Sequence, residues 1–455
     1  MTTRAGLIQA LYGNTATINT DGSFSGTLDS SKKIIYISGT ISLNQNGSAT
    51  ELTADDYVTG SCAKTTYGYT TASAMWADYK TAFNPQTVVP SSSATISGNP
   101  ESARACAAAL QKKVVMLYVP SNTSIIGLGS TAIIKNGNLV LGTSSASVDN
   151  IVIRNINFQD SFDFFPAWDP TDSTTGRWNS AYDLISVMYA THVWIDHNEF
   201  SDGSRTDDLY PSVWTGTASD GSDYATSEVF KFMHHDGLVD ITKSANYVTM
   251  SYNYLHDHDK TDLIGGTDSA NTTAENPTVL KTTFHHNYWK NCKQRQPRVR
   301  YGMAHIYNNY FYNNQASSTV YGWSVAWYAG QGAKLYVENN AVDVSTISAA
   351  SSVYGGSSSS TKASSCASTM GSGYDSNYCS AFMYVATNNL LNSSSLSAQQ
   401  DLSASGVTTT STPWYASGVT TGSPTATPSS YYTYTQDSAG TLSTTVPTNA
   451  GVGKL

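Results

Sequence analysis

One strand-ending pattern recurs six times along this chain, and it limits the available folds more than any other feature. In each copy, apolar or β-branched residues lead to an asparagine, then to any residue, and then to a large apolar one. The aligned asparagines are Asn198, Asn253, Asn287, Asn309, Asn340 and Asn389. The shortest step, from Asn287 to Asn309, is 22 residues, and the other steps are longer and uneven.

A short minimum period with irregular insertions predicts a solenoid whose coils each contain about three short strands. Asparagine suits a turn between strands because it tolerates the left-handed conformation and hydrogen-bonds to nearby backbone. Stacked coils would place these asparagines one above another, so that each amide pairs with the next. The alternative is a β-sandwich with asparagine-rich turns, which does not explain one ending repeated six times.

The pattern predicts a single all-β domain over residues 1–455, with helices confined to its ends and insertions. The segment GLIQALYG predicts a short N-terminal helix that caps the open end of the solenoid. Insertions are expected at about 51–112, with one helix around Pro100 to Lys112, and at about 343–381, as loop. The serine- and threonine-rich segment 402–455 keeps aromatics, including Trp414, and is expected to pack along the outside of the solenoid.

Composition favours an extracellular protein. Charged residues make up only 13% of the chain, against about 25% in typical soluble domains, and hydroxyl and amide side chains take their place. No run approaches the roughly 18 apolar residues that a membrane helix needs, so we expect no membrane partner. Nothing in the sequence signals a subunit interface, and we expect a monomer.

The five cysteines form no CxxC pattern of the kind found in zinc or redox sites. Cys366 and Cys379 lie in one loop-like segment and could close a small bridge. Cys62 and Cys106 flank another and could close a larger one, which leaves Cys292 unpaired. Other pairings and a fully reduced state stay open at this point.

A basic island stands out on an acidic chain. The stretch from Lys281 to Arg300, KTTFHHNYWKNCKQRQPRVR, carries six lysines and arginines and no acidic residue, whereas the whole chain has a formal net charge of −9. Such an island suggests a place for anionic groups. The overall negative charge argues against nucleic acid as that partner. A ladder of ion pairs on the solenoid face is the alternative explanation.

Three carboxylates form the counterpart of that island. Asp183, Asp236 and Asp240 flank strand-like runs in different coils, and stacking could gather them on one face. Carboxylate oxygens suit Ca²⁺, and no histidine and cysteine set argues for zinc. A solvated acidic face explains the spacing equally well. For each histidine between His197 and His305 we expect a packed or hydrogen-bonded structural role.

Long blocks of this sequence resemble the signature blocks of the pectate lyases, polysaccharide lyase family 1. They are VWIDHNEF (193–200), DGLVDITKSANYVTMSYNYLHDHDK (236–260) and TFHHNYWKNCKQRQPRVRYGMAHIYNNYF (283–311). The resemblance implies a right-handed parallel β-helix. It also implies a secreted enzyme that uses Ca²⁺ to cleave polygalacturonate, the de-esterified form of pectin, by β-elimination to 4,5-unsaturated products.

By motif position, the resemblance implies that Asp183, Asp236 and Asp240 bind calcium. Some family members have another acidic residue two positions before the first of these, where this chain has Ala181. The number of calcium ions therefore stays open.

The resemblance further implies that Arg295 removes the proton from the substrate, and that Lys260 and Arg300 bind substrate carboxylates. A guanidinium normally keeps its proton beyond about pH 12. Activity that depends on Arg295 as a base is therefore expected to rise into the alkaline range.

Two alternatives share the fold. A pectin lyase acting on methyl-esterified substrate would not need the three aspartates but would have an aromatic-lined cleft, for which Trp168, Trp178, Trp214 and Trp289 are candidates. A β-helix that only binds polysaccharide should have lost Arg295 or Lys260, and both are present.

Overall fold

Three parallel sheets form the walls of the molecule, and the chain passes through them in turn. The computed structural model describes residues 1–271, 273–316, 320–372, 374–376, 378–396, 407–409 and 427–455. Trp414 lies outside these ranges, and so does much of the segment for which we predicted packing on the solenoid.

Sheet A has eight strands and carries most of the residues of interest. Its strands are β5 (Met116–Val119), β8 (Asn138–Leu141), β13 (Ile185–Met188), β16 (Val239–Thr242), β19 (Leu263–Ile264), β22 (Arg298–Val299), β25 (Trp327–Ala329) and β28 (Tyr354–Gly356).

Sheet B has ten strands. They are β3 (Lys33–Ile37), β6 (Thr123–Gly127), β9 (Val148–Arg154), β14 (Ala190–Asp196), β17 (Asn246–Ser251), β20 (Lys281–His285), β23 (Met303–Tyr307), β26 (Lys334–Glu338), β29 (Ala381–Val385) and β32 (Val407–Thr409).

Sheet C also has ten strands, and its last pairing, β30 with β31, is antiparallel. They are β4 (Thr40–Ser42), β7 (Ile133–Lys135), β10 (Asn157–Gln159), β15 (Glu199–Ser201), β18 (Tyr254–Lys260), β21 (Tyr288–Gln294), β24 (Tyr310–Asn313), β27 (Ala341–Val344), β30 (Leu390–Leu391) and β31 (Ser394–Ser395). Two antiparallel hairpins lie outside the sheets: β1 (Thr17–Ile18) with β2 (Phe24–Ser25), and β11 (Ala167–Asp169) with β12 (Arg177–Asn179).

Each coil runs from sheet A to sheet B to sheet C, as in β16, β17 and β18, and neighbouring coils pair in parallel. The predicted all-β, parallel β-helix is confirmed. Apolar side chains fill its interior, and aromatic rings stack from coil to coil. The rings of Phe158 and Phe200 are 5.3 Å apart, and those of Trp289 and Phe311 are 4.7 Å apart.

The predicted asparagine ladder is also confirmed, and all six members are buried. The Nδ2 of Asn253 donates to the Oδ1 of Asn287 at 2.9 Å, and Asn287 donates to Asn309 at 3.0 Å. The same bond joins the other successive members. The left-handed residue, however, is the one before the asparagine, as in Tyr252 (φ 51°) and His286 (φ 56°). Each asparagine accordingly serves as the hydrogen-bonding link, and the residue before it is the left-handed corner for all members except Asn389.

In the ranges that the structure describes, seven α-helices lie at the ends of the solenoid or in its insertions. They are α1 (Arg4–Tyr12), α2 (Ala54–Thr59), α3 (Cys62–Thr65), α4 (Ala72–Ala82), α5 (Asn99–Val115), α6 (Ser360–Met370) and α7 (Leu442–Asn449). Short 3₁₀ turns occur at Gly13–Thr15, Asp207–Leu209, Glu228–Phe230, Ala350–Ser352, Pro428–Ser430 and Ala439–Thr441. The predicted N-terminal helix is α1, and its Leu7, Ile8 and Leu11 are fully buried in the solenoid core.

The first insertion differs from the prediction of loop with one helix, because it forms the four helices α2 to α5. Local signals explain them: Thr53 and Asp56 form a capping box, and Thr71 caps α4. Buried aromatic residues join these helices to neighbouring loops in a second core, in which the rings of Trp76 and Trp178 are 5.9 Å apart.

The second insertion was predicted to be loop but contains α6 and β28. Ser359 caps α6, and Ala363 and Cys366 bury one face of the helix. Disulfides join Cys62 to Cys106 and Cys366 to Cys379, and Cys292 is free and buried.

The C-terminal segment contacts the outside of the solenoid where the structure describes it. The Oη of Tyr434 donates to Glu338 at 2.5 Å, and the main-chain N–H of Asp437 donates to Asn308 at 2.9 Å. Helix α7 packs on the outer face of sheet C through Leu442. Among the described residues, no helix is long and apolar enough to cross a membrane.

Candidate functional site

The six residues that the sequence singled out lie along sheet A and at the turns that lead into it. Parallel pairing brings their elements together, since Ser186 pairs with Asp240, Lys260 with Gln294 and Leu263 with Arg298. Residues that are far apart in sequence thereby share one side of the molecule. They are Asp183, Asp236, Asp240, Lys260, Arg295 and Arg300.

The acidic half of the candidate site comprises Asp183, Asp236 and Asp240. Asp183 and Asp240 form its centre. Asp183 precedes β13, and its Oδ1 accepts from the main-chain N–H of Gly237 at 3.0 Å, while its Oδ2 accepts from the hydroxyl of Ser186 at 2.5 Å. Asp240 lies in β16, and its Oδ1 accepts from the main-chain N–H of Leu263 at 3.0 Å. These bonds fix both carboxylates while leaving them without a counter-ion in hydrogen-bond contact among the described residues.

This pair is electrostatically unfavourable when both groups are charged. Burial raises the pKa of Asp183 to about 7, and repulsion from Asp236 adds to the effect. Burial also raises the pKa of Asp240, followed by repulsion from Asp183 and Asp236. The charge of Arg295 offsets part of the shift for both carboxylates. Such a cluster favours either protons or a bound cation.

Gly237 lies between the two carboxylates and leaves the space there open. A Cβ atom at this position would be 2.4 Å from the Oδ1 of Asp240 and 2.9 Å from the Oδ1 of Asp183. No ordinary contact is that short, so any other residue would push the carboxylates apart. The glycine therefore maintains an all-oxygen cradle of the kind that suits Ca²⁺.

Asp236 lies at the more accessible edge of the acidic half. Its Oδ1 is 3.4 Å from the Nζ of Lys260. This contact joins the acidic half to the basic half. It also holds the ammonium group of Lys260 at the accessible edge, where an anionic ligand can reach it.

The basic half comprises Lys260 and three arginines around the turn between β21 and β22. Arg295 has a left-handed φ of 59°, and its buried Nε has no hydrogen-bond partner among the described residues. The guanidinium of Arg298 lies 5.0 Å from the ring centre of Tyr328. Burial lowers the pKa of Arg298 to about 10, and repulsion from Arg300 and Arg295 contributes.

Arg300 is held differently from the other candidates. Its Nε donates to the Oδ1 of Asp268 at 2.8 Å, and the Nζ of Lys362 is 3.2 Å from the other oxygen of the same carboxylate. The structure thus gives Arg300 an acidic partner of its own, whereas the Nε of Arg295 has none among the described residues.

The four tryptophans proposed for an aromatic cleft are buried. Trp168, Trp178 and Trp214 belong to the second core, and Trp289 lies inside the solenoid. Their exposed fractions range from 0% to 4%. None of them offers a face to a polymer.

Sequence reasoning missed a second acidic cluster close to this site. Asp202, Asp207 and His235 approach within 4.8 Å of one another through possible ligand atoms, and all three are buried. Protein donors already occupy this group: Lys231 is 2.7 Å from Asp207, and the Nδ1 of His258 is 2.6 Å from Asp202. The high density of histidine and aspartate between residues 197 and 258 is the sequence signal that could have revealed this cluster.

Comparisons with known proteins bear on the whole chain. The family model for pectate lyase matches residues 27–455. A pectate lyase from Bacillus subtilis (strain 168) is 41% identical over 321 residues, which cover 70% of this chain and 67% of that protein. Pectate lyase E from Dickeya chrysanthemi is 35% identical over 237 residues, which cover 52% of this chain and 55% of that protein.

Solved structures show the same similarity. The pectate lyase from Acidovorax avenae subsp citrulli superimposes with a TM-score of 0.91 and 45% sequence identity, covering 100% of this chain and 90% of that one. A pectate lyase bound to hexasaccharide superimposes with a TM-score of 0.71 and 34% identity, covering 100% of this chain and 91% of that one.

Proposed function

The chain belongs to the pectate lyase family, and on this premise we propose that it cleaves polygalacturonate by calcium-dependent β-elimination at the site formed by Asp183, Asp236, Asp240 and Arg295. One observation carries the proposal: two mutually repelling carboxylates face an open cradle within the electrostatic reach of Arg295, whose Nε has no hydrogen-bond partner in the described part of the chain. This arrangement suits a substrate that presents anions next to a metal cation.

The acidic half would hold the metal. Asp183 and Asp240 offer fixed oxygens on either side of Gly237, and Asp236 offers another at the accessible edge. When bound, Ca²⁺ would act as a Lewis acid that withdraws charge from the substrate carboxylate and so acidifies the adjacent carbon.

The basic half would bind and deprotonate the substrate. In the neutral form, Arg295 accepts the proton from C5 of a galacturonate; a C4–C5 double bond then forms as the C4–O4 bond breaks and O4 leaves with the electron pair. Lys260 and Arg300 bind carboxylates and stabilise the charge that develops on the reacting sugar. Arg300 must exchange Asp268 for a substrate carboxylate to do so.

The substrate would be an extended polymer outside the cell. The hexasaccharide bound by a structural relative supports a polysaccharide partner that spans several sugars. The low charge content and the two disulfides fit an extracellular location.

Ultraviolet absorbance of polygalacturonate digests tests the proposal directly, because the 4,5-unsaturated product absorbs and the substrate does not. We expect absorbance to rise with Ca²⁺ and to be abolished by a chelator. We also expect the rate to increase into the alkaline range. Activity that ignores the chelator and prefers esterified pectin would refute the calcium site and favour the pectin lyase alternative.

Arg295→Ala tests the assignment of the base. We expect a loss of about 10²- to 10⁴-fold in kcat, with polysaccharide binding retained. Arg154→Ala is the matched control, because Arg154 pairs with Asp196 and lies over the ring of Trp194 on sheet B. Equal rates for the two variants would exclude Arg295 as the base, and binding without turnover in the wild-type protein would indicate a non-catalytic binding module.

A further inference from the structure

A network of buried charges lies directly beneath the candidate site. The loop between β15 and β16 supplies most of it, β18 supplies Asp259 and His258, and Asp160 follows β10. Among the described residues, its members are the carboxylates Asp160, Asp202, Asp207 and Asp259 and the cationic side chains Arg205, Lys231, His235 and His258. Most of these residues are at least nine-tenths buried.

Contacts pair the two sets of charges throughout. Lys231 joins Asp207 at 2.7 Å to Asp259 at 2.5 Å. His235 joins Asp160 at 2.9 Å to Asp207 at 3.1 Å. The four carboxylates are therefore matched by four cations when both histidines are protonated. Charges removed from water need such partners, since an uncompensated one would cost several kcal/mol.

His258 makes one hydrogen bond through each ring nitrogen. Its Nδ1 is 2.6 Å from a carboxylate oxygen of Asp202, and its Nε2 is 2.8 Å from the main-chain carbonyl oxygen of Asp236. A carboxylate and a carbonyl oxygen are both acceptors, so both ring nitrogens must donate. The side chain therefore bridges the network and the candidate site.

The network also touches the neighbours of the basic residues. Asp259 precedes Lys260 and accepts from the Nε2 of Gln294 at 2.9 Å. Gln294 in turn precedes Arg295. The buried network therefore contacts the chain at or next to three residues of the site, which are Asp236, Lys260 and Arg295. His258 provides the most direct of these links, because it bonds to the main chain of Asp236 itself.

We propose that His258 is a positioning residue that sets the Asp236 carboxylate for cation binding by donating to the Asp236 main-chain carbonyl while Asp202 holds its other ring nitrogen. This inference rests on the proposed function, in which Asp236 binds calcium. Groups behind metal ligands typically change metal affinity about 10- to 100-fold when they are mutated. His258 touches neither substrate nor metal in this scheme and acts only through Asp236.

His258→Gln removes the bridge, because its amide cannot donate to both acceptors in the same geometry. We expect the dissociation constant for CaCl₂, measured calorimetrically on the substrate-free protein, to increase at least about tenfold. We expect kcat at saturating calcium to stay within about threefold of wild type. A purely structural role would lower the amount of active protein without weakening calcium binding more than kcat.

His256→Gln is the matched control on the same strand. His256 also lies between two carboxylates, with Nδ1 2.8 Å from Asp257 and Nε2 3.3 Å from Glu199, but it makes no contact with Asp236. Equal calcium affinity in the two variants would overturn the positioning role and leave the proposed function intact. Lyase activity without calcium dependence in the wild-type protein would overturn the proposed function and the positioning role with it.

A milder variant decides the question if His258→Gln does not fold. Tyr321→Phe removes a hydroxyl that donates to Asp202 at 2.5 Å and accepts from the main-chain N–H of Asp207 at 2.9 Å, with no change in charge. We expect calcium affinity to fall about fivefold, the effect of roughly one hydrogen bond. Tyr310→Phe removes a comparable donor to Asp343 on the outside of sheet C and should leave calcium affinity unchanged. Identical affinities for the two tyrosine variants would contradict the proposal.

Discussion

Two clusters of carboxylates lie side by side in this molecule, and they are stabilised in opposite ways. In the buried network, each carboxylate bonds to a lysine, an arginine or a histidine, and the charges balance. In the candidate site, Asp183 and Asp240 repel each other, and Lys260 contacts only Asp236 at the edge. Acidic residues at close range therefore do not by themselves indicate a metal site. The cluster whose charges the protein leaves uncompensated is the one that can accept a cation from solution.

The largest expected effect comes from breaking the balanced cluster. Asp207→Asn removes one of the carboxylates that Lys231 and His235 contact, and it leaves the buried network with one more positive than negative charge. We expect the free energy of unfolding to fall by about 3–5 kcal/mol, the usual cost of removing one member of a buried pair. Urea unfolding measures it, with exposed Asp208→Asn as the control. Equal stability of the two variants would show that the network contributes nothing as a balanced unit.

Removing a carboxylate from the candidate site should not destabilise the calcium-free protein. Asp240→Asn removes one of two repelling charges, so the calcium-free protein should be at least as stable as wild type. Calcium affinity should fall about 100-fold or more, because ligand charge sets the affinity of such sites. Calorimetric titration with CaCl₂ and urea unfolding in a chelator measure the two effects. A clear loss of stability in the calcium-free protein would mean that Asp240, like the carboxylates of the buried network, stabilises the fold.

Removing Lys260 from the edge of the site sharpens the comparison further. In Lys260→Met we expect KM for polygalacturonate to rise about tenfold, through loss of a charge-assisted contact. Calcium affinity without substrate should stay the same or increase, because a competing cation near Asp236 is gone. Lys243→Met, at an exposed turn, is the control. Weaker calcium binding in Lys260→Met would indicate that this lysine supports the acidic half instead of the substrate.

The last effect concerns a histidine that has no carboxylate partner in hydrogen-bond contact among the described residues. Burial lowers the pKa of His285 to about 3, and the charge of His286 contributes. Its folded-state pKa is below the unfolded value of about 6.5, so its contribution to stability is present above that value. It is lost as pH falls toward 3, at no more than about 1.4 kcal/mol per pH unit.

Urea unfolding at pH 7 and pH 4.5 measures this loss. His285→Gln should lose less stability between the two pH values than exposed His192→Gln. An identical loss in the two variants would mean that His285 is not the source of the acid sensitivity.

Repetition made the fold predictable from sequence, whereas three-dimensional stacking made part of the site unpredictable. The asparagine endings predicted the coils and the ladder, although the left-handed corner falls one residue earlier, at Tyr252 and His286. The site residues were identified through matching motifs, and their roles stay predictions. Network partners such as Asp160 and His235 are separated by 75 residues, and only the stacking of coils reveals that they meet.

Gly237 has a consequence for how this surface can change over evolutionary time. Its missing side chain is what allows two carboxylates to converge, since a single added carbon would lie 2.4 Å from one of them. A mutation from glycine to alanine requires one nucleotide change, and the nearest atoms that the added Cβ would meet belong to Asp240 and Asp183. We therefore expect one added methyl group to weaken cation binding at this site, and the amino acid at this position offers a simple criterion for separating cation-binding relatives from those that have lost the ion.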